Sequence, residues 1–243
     1  MAALVFAAEA AVTKASRGAL WTVVQACLIN HALTSAAFPC LDVDVSDGRE
    51  RGYVIVRSPL SVSNLILAPT RPIIGVEDPS LQAFDAPNYF EDARNSLRFL
   101  QGARQKPLAR DDIVLAVNSR QSRTQDQLHV HIGCLYANAK QTVRALAPAL
   151  SESRWIPLGR PFHGLEFWGR LLVQENLVGV NPFRLAAEAR LSASEDRSQL
   201  TIAVAGIRLP DGRDGFVLLA SYHNPLGQYS VEDFLDDSAS SCH

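Results

Sequence analysis

A chain of 243 residues with 47% hydrophobic and 20% charged side chains has the composition of a globular protein and the length of one large domain or two small ones. Its 23 Lys and Arg against 25 Asp and Glu leave a net charge of -2, which excludes the counterion-release binding of nucleic acid that a basic surface provides. No apolar stretch reaches the roughly 20 residues of a membrane-spanning helix, so contact with a bilayer is restricted to its surface.

In chain order, residues 1–10 are mostly apolar and end on Ala8-Glu9-Ala10. This small-x-small pattern reads as the remnant of a signal peptide, and an alanine-rich helix start explains the same letters. The three and four spacing of Ala11, Leu20, Val23, Val24, Cys27 and Leu28 predicts a helix from Ala10 to Leu33, interrupted at Gly18. Tyr53 to Arg57 and Asn64 to Ala68 predict an antiparallel pair of strands. Asp85 in the N-cap place and Pro87 in the first turn introduce Tyr89, Phe90, Ala93, Leu97 and Leu100 on one helical face, with Gly102 beyond. Early Glu91 and Asp92 and late Arg94, Arg98 and Arg104 complement the dipole of that helix.

Strands are expected at Ile113 to Val117 and Leu128 to Leu135. The polar segment between them, Asn118 to Gln127, is too long for a tight hairpin and is therefore a candidate functional loop. Ala139 to Leu150 predicts a helix. Arg154 to Leu165, with Pro157, Gly159, Pro161 and Gly164, predicts a linker and a boundary. Glu166 to Val178 and Pro182 to Leu191 predict two further helices, and Thr201 to Ile207 with Phe216 to Ser221 a hairpin. The elements mix without βαβ alternation, so the fold class is α+β, a mainly antiparallel sheet packed with helices.

Four cysteines, Cys27, Cys40, Cys134 and Cys242, form no CxxC pair and no zinc spacing. Two disulfides and four buried thiols are both open. If bridges form, sequence proximity favours Cys27 with Cys40, a loop for which chain entropy gives roughly 3 kcal/mol, and leaves Cys134 to hold the C-terminal Cys242.

Chemistry concentrates at Leu128 to Cys134. In an extended segment Gln127, His129, His131 and Gly133 share one face, and Leu128, Val130, Ile132 and Cys134 the other. One face is polar and one is core. Gly133 leaves space beside the imidazoles, and the Ser, Thr, Arg and Gln donors upstream converge on whatever occupies it, an arrangement suited to an oxyanion. Two imidazoles on one strand face also supply two of the three protein ligands of a catalytic zinc. No third ligand is evident, since Asp126 falls on the other face and His163 and His223 would have to arrive through folding. His31 and His243 have no motif around them.

Gln125-x-Gln127-x-His129-x-His131, preceded by Asn118-Ser119 and Ser122, resembles the active-site strand of the histidine-triad superfamily, and more closely that of its CDP-diacylglycerol pyrophosphatases. Leu67-Ala68-Pro69-Thr70, Pro87-Asn88-Tyr89-Phe90, Asn118-Ser119-Arg120, Arg123-Thr124-Gln125, Ser153-Arg154-Trp155 and Phe216-Val217-Leu218-Leu219 look like that family's blocks in the same order, as do the four cysteines. The first triad position is Gln127 instead of histidine.

The resemblance implies a histidine-triad-like domain over residues 11–243, with a core at about 40–150 and a C-terminal α/β extension at about 151–243. It implies cleavage of CDP-diacylglycerol into CMP and phosphatidate by attack of neutral His129 on the phosphorus nearer cytidine, without a metal or other cofactor. An ordinary imidazole is mostly in that neutral form at pH 7. His131 would ligate phosphoryl oxygen or donate a proton, with Gln127 beside it. Arg120 or Arg123 would clamp the diphosphate and oppose protonation of His129. Ser122, Thr124 and Gln125 would hold nonbridging oxygens, and Asn118 and Ser119 complete the binding loop. The partners are then this lipid and the membrane surface, with a homodimer open. The location is periplasmic or at the bacterial inner membrane. A metal-dependent phosphoester hydrolase and a non-catalytic nucleotide- or lipid-binding protein are the alternatives.

Overall fold

The computed structural model describes residues 17–58, 64–101, 108–162, 164–188, 196–222 and 230–235. Nine strands lie in one sheet: β1 (Asp42–Asp44), β2 (Tyr53–Arg57), β3 (Leu65–Pro69), β4 (Ile113–Val117), β5 (Val130–Cys134), β6 (Ile156–Phe162), β7 (Leu165–Leu172), β8 (Thr201–Arg208) and β9 (Asp214–Ser221). Their order is β1-β2-β3-β5-β4-β8-β9-β7-β6, and every neighbouring pair is antiparallel. The fold is α+β, and its sheet continues across residue 150 through the β4–β8 pair.

Five α-helical segments accompany the sheet among the described residues: α1 (Ala19–Thr34), α2 (Tyr89–Asn95), a single turn α3 (Arg98–Gln101), α4 (Ala137–Leu146) and α5 (Pro182–Glu188). The central strands β3 and β5 are buried along their whole length because both sheet faces are covered. On one face Leu67, Leu115, Val130, Ile132, Val204 and Leu218 pack with Tyr89 and Phe90 of α2 and Phe183 of α5. On the other face two smaller clusters form. Val43, Val54, Ile66 and Ala68 meet Leu20, Val24 and Cys27 of α1, whereas Val114, Ala116, Ala203 and Leu219 meet Ala139 and Val143 of α4 and Val231 and Phe234 of a C-terminal turn.

Three expectations are corrected. The linker and the helix expected from Arg154 to Val178 are strands β6 and β7. Pro157 and Pro161 are tolerated because β6 is the sheet edge, and its register shifts on either side of Gly159, which has positive φ. The expected helix Glu166 to Val178 is replaced over most of its length by β7, whose pairing with β9 decides the outcome. The helix expected from Asp85 starts later: Asn88 is its N-cap, accepting from Glu91 N–H, while its amide nitrogen donates to the carbonyls of Leu177 and Val180. It breaks after Asn95 because the Ser96 hydroxyl bonds back to the Asp92 carbonyl.

Gly18 is a turn residue between helical Arg17 and Ala19 and the N-cap of α1, so the helix is interrupted there as expected. The signal-like residues 1–10 lie outside the described residues. Cys27 and Cys40 are bridged, with Cα atoms 5.7 Å apart, and Cys134 is also disulfide-bonded; Cys242 lies outside the described residues.

Candidate active site

Strand β5 is held between β3 and β4, with His131 opposite Ile66 on one side and Ala116 on the other. Alternation works as its letters predict: Leu128, Val130 and Ile132 enter the large core, and His129, His131 and Gly133 take the opposite face. The two rings meet edge-on with centroids 4.8 Å apart, where the α1 cluster adjoins the α4 cluster. This face is not an open polar surface, since His129 is only 5% and His131 only 4% exposed. Nor does Gly133 leave a void. A Cβ there would strike the Asn64 carboxamide and stand 2.9 Å from Leu235, so the glycine makes room for protein.

His129 Nδ1 lies 2.8 Å from the Gln127 carbonyl oxygen. Because a carbonyl only accepts, Nδ1 carries a proton, and in the neutral ring the lone pair is then on Nε2. Burial of His131 pulls its pKa down to about 4, so this ring is neutral at physiological pH and has an N–H and a lone pair to offer instead of a positive charge.

Gln127 has a different occupation from the one expected. Its Nε2 donates to the carbonyls of Pro69 (3.0 Å) and Arg71 (2.9 Å), and its Oε1 accepts from Ile73 N–H at 3.3 Å. Leu128 N–H also donates to the Ile73 carbonyl at 2.6 Å. The segment after β3 is thus laced to the start of β5, and the carboxamide has both donors on backbone.

The loop 118–127 is fixed at several points. Asn118 is buried; its Nδ2 donates to Ser230 Oγ and its Oδ1 accepts from Val231 N–H at 2.8 Å. The buried Ser119 carbonyl accepts from the N–H groups of Ser122 and Arg123, and its hydroxyl is 3.4 Å from that of Ser122. Arg123, expected to clamp substrate, is buried and forms a two-point pair with Glu77, both N–O distances 2.7 Å, a partner the sequence reading missed. Arg120 is exposed, its backbone N–H bonded to the Ser198 carbonyl. Thr124 is exposed. Gln125 Oε1 accepts from Leu20 N–H at 2.8 Å, and Arg17 bonds Asp126 and the Arg123 carbonyl, which ties the start of α1 to this loop. The structure therefore gathers His129, His131, Asn118 and Ser119 in and beside the central strands, and commits Gln127 and Arg123 to protein contacts. Among the described residues no group of three His, Cys, Asp or Glu side chains is arranged to hold a metal ion; His163 and His223 lie outside them.

Residues 15–243, nearly the whole chain, match the sequence profile of the family described as CDP-diacylglycerol pyrophosphatase. The chain belongs to the CDP-diacylglycerol pyrophosphatase family. It is 33% identical over 221 residues to a CDP-diacylglycerol pyrophosphatase of Yersinia pestis, covering 90% of this chain and 82% of that one. Among solved structures it is similar to a DUF4931 family protein from Bacillus cereus, with a TM-score of 0.48 and 11% identity over 79% of this chain and 92% of the other. In this member of the pyrophosphatase family the contacts that sequence reading missed, Glu77 with Arg123 and Arg17 with Asp126, span 46 and 109 positions, and no local pattern signals them.

Proposed function

We propose that the protein hydrolyses the diphosphate bond of CDP-diacylglycerol, giving CMP and phosphatidate, through a cytidylyl-histidine on His129 in a histidine-triad-like domain. The observation that carries this reading is the bond from His129 Nδ1–H to the Gln127 carbonyl, which in the neutral ring puts the lone pair on Nε2, the atom that acts as nucleophile. Nε2 attacks the phosphorus nearer cytidine in line. A P–N bond forms as the bond to the phosphatidate oxygen breaks, and the lipid product departs with that electron pair. Water then attacks the same phosphorus, the P–N bond breaks, and CMP leaves as the water proton passes to solvent. Neutral His131 offers a hydrogen bond to a phosphoryl oxygen, and Arg120, Ser122 and Thr124 line the loop that faces the charge.

The Cys27–Cys40 bridge supports a periplasmic location, because such bonds persist in oxidising compartments. No helix among the described residues is long and apolar enough to cross a membrane. The test is CMP release from CDP-diacylglycerol by the wild type and by His129→Ala. Release by the wild type alone supports the assignment, and equal rates refute it.

A further inference from the structure

Helix α1, Ala19–Thr34, contains no Asp, Glu, Lys or Arg, and apolar residues lie on both its inner and outer sides, with Thr22 the exposed polar residue at the start of the outer one. Its inner side, Leu20, Val24 and Cys27, covers the sheet. Its outer side has Ala26, Ile29 and Leu33 at three and four spacing, open to solvent: Ile29 is 61% and Leu33 80% exposed. Phe38, 78% exposed, extends this surface. The loop carrying it is held to the helix by the Cys27–Cys40 bridge and by Asn30, whose amide donates to the Phe38 carbonyl at 2.8 Å. A contiguous exposed apolar surface marks a place of docking.

We propose that this outer face of α1, together with Phe38, lies on a lipid bilayer and brings the loop 118–127 to headgroup level. The proposal rests on the lipid substrate assigned above. A molecule with two acyl chains stays in its bilayer, so the diphosphate has to be met at the surface. The helix is joined to the candidate site at its first turn, through Leu20 N–H to Gln125 and Asp126 N–H to the Arg17 carbonyl. At 1.5 Å per residue it is about 24 Å long, which suits lying in the interface and not spanning it. A second copy of the chain is the less suitable occupant. Paired helices fix their register with flanking charges, and this helix has none, whereas a bilayer demands no register.

The test measures co-sedimentation of the full chain with vesicles of phosphatidylcholine and phosphatidylglycerol, without substrate. It compares wild type with Leu33→Glu/Phe38→Glu and with the milder Leu33→Gln/Phe38→Ser, all at exposed positions. Partitioning of the wild type and an at least tenfold loss in both variants are expected. Turnover of long-chain CDP-diacylglycerol in vesicles should fall similarly, while turnover of a short-chain analogue dispersed as monomers should stay within twofold. Wild type remaining in the supernatant, variants sedimenting like wild type, or a wild-type dimer that the substitutions dissociate would each overturn the proposal. A wild type inactive on both substrates would refute the activity, and sedimentation would still report on the face.

Discussion

His129 Nδ1 and the carbonyl oxygen of Gln127 are 2.8 Å apart on one side of the strand start, a bond between a ring and the backbone two residues before it. It fixes which nitrogen carries a proton, so the position of a covalent adduct is predicted as well as its presence. Rapid quenching in alkali, where phosphoramidates survive, should trap cytidylate on Nε2 of His129. His129→Ala should lower turnover by about a thousandfold or more, and because it truncates a buried, hydrogen-bonded ring it should also lower the melting temperature, so turnover is compared at a temperature where both proteins are folded. Mass spectrometry of the quenched digest is the measurement. An adduct on Nδ1 or on His131 would contradict the assignment.

His131 gives the fold a pH dependence of definite sign. The unfolded chain protonates this ring near pH 6.5, whereas burial keeps the folded ring neutral down to about pH 4. Its full contribution to stability is present above pH 6.5 and is lost as pH falls toward 4, in total on the order of 3 kcal/mol. Urea midpoints at pH 7.5 and 4.5 should show a larger acid loss in wild type than in His131→Asn, and parallel losses would assign the effect elsewhere.

Gln127 is predicted to matter for architecture before chemistry. Gln127→Leu leaves the Pro69 and Arg71 carbonyls and the Ile73 N–H without their side-chain partner in a buried place, a loss of about 2–4 kcal/mol. Chemical denaturation measures it. A variant as stable as wild type but unable to turn over would restore the contact to substrate that the sequence had suggested.

These cases mark what the letters reveal. Strands β2, β4, β8 and β9 were legible because their β-branched runs suit a buried sheet, and the alternation in β5 separated histidines from core without any fold. The covering of the histidine face was not legible, because a histidine looks the same in sequence when it is buried, as His129 and His131 are, as when it meets water. Arg123 read as a substrate clamp for the same reason: its partner Glu77 comes from a loop 46 residues earlier. Strands β6 and β7 escaped because their Gly and Pro residues punctuate an edge hairpin as readily as a linker.

Asp92, in the first turn of α2, supplies the opposite pH dependence. Its carboxyl borders a cleft of about 130 Å³ lined by Asp44, Asp47, Arg51, Tyr53 and Asn88. Burial foremost, then the negative charges of Asp44, Glu91 and Asp47, raise its pKa to about 7. Between pH 4 and 7 the folded chain holds a proton that the unfolded chain releases, so this site loses stability as pH rises and is most costly above pH 7. Asp92→Asn removes the charge and should raise stability by on the order of 1 kcal/mol at pH 8, the partial access of solvent to the group limiting the gain, with almost no effect at pH 4. Thermal melts of both proteins at the two pH values measure this difference. A gain of the same size at pH 4 and 8 would mean that packing, and not the buried charge, governs the position.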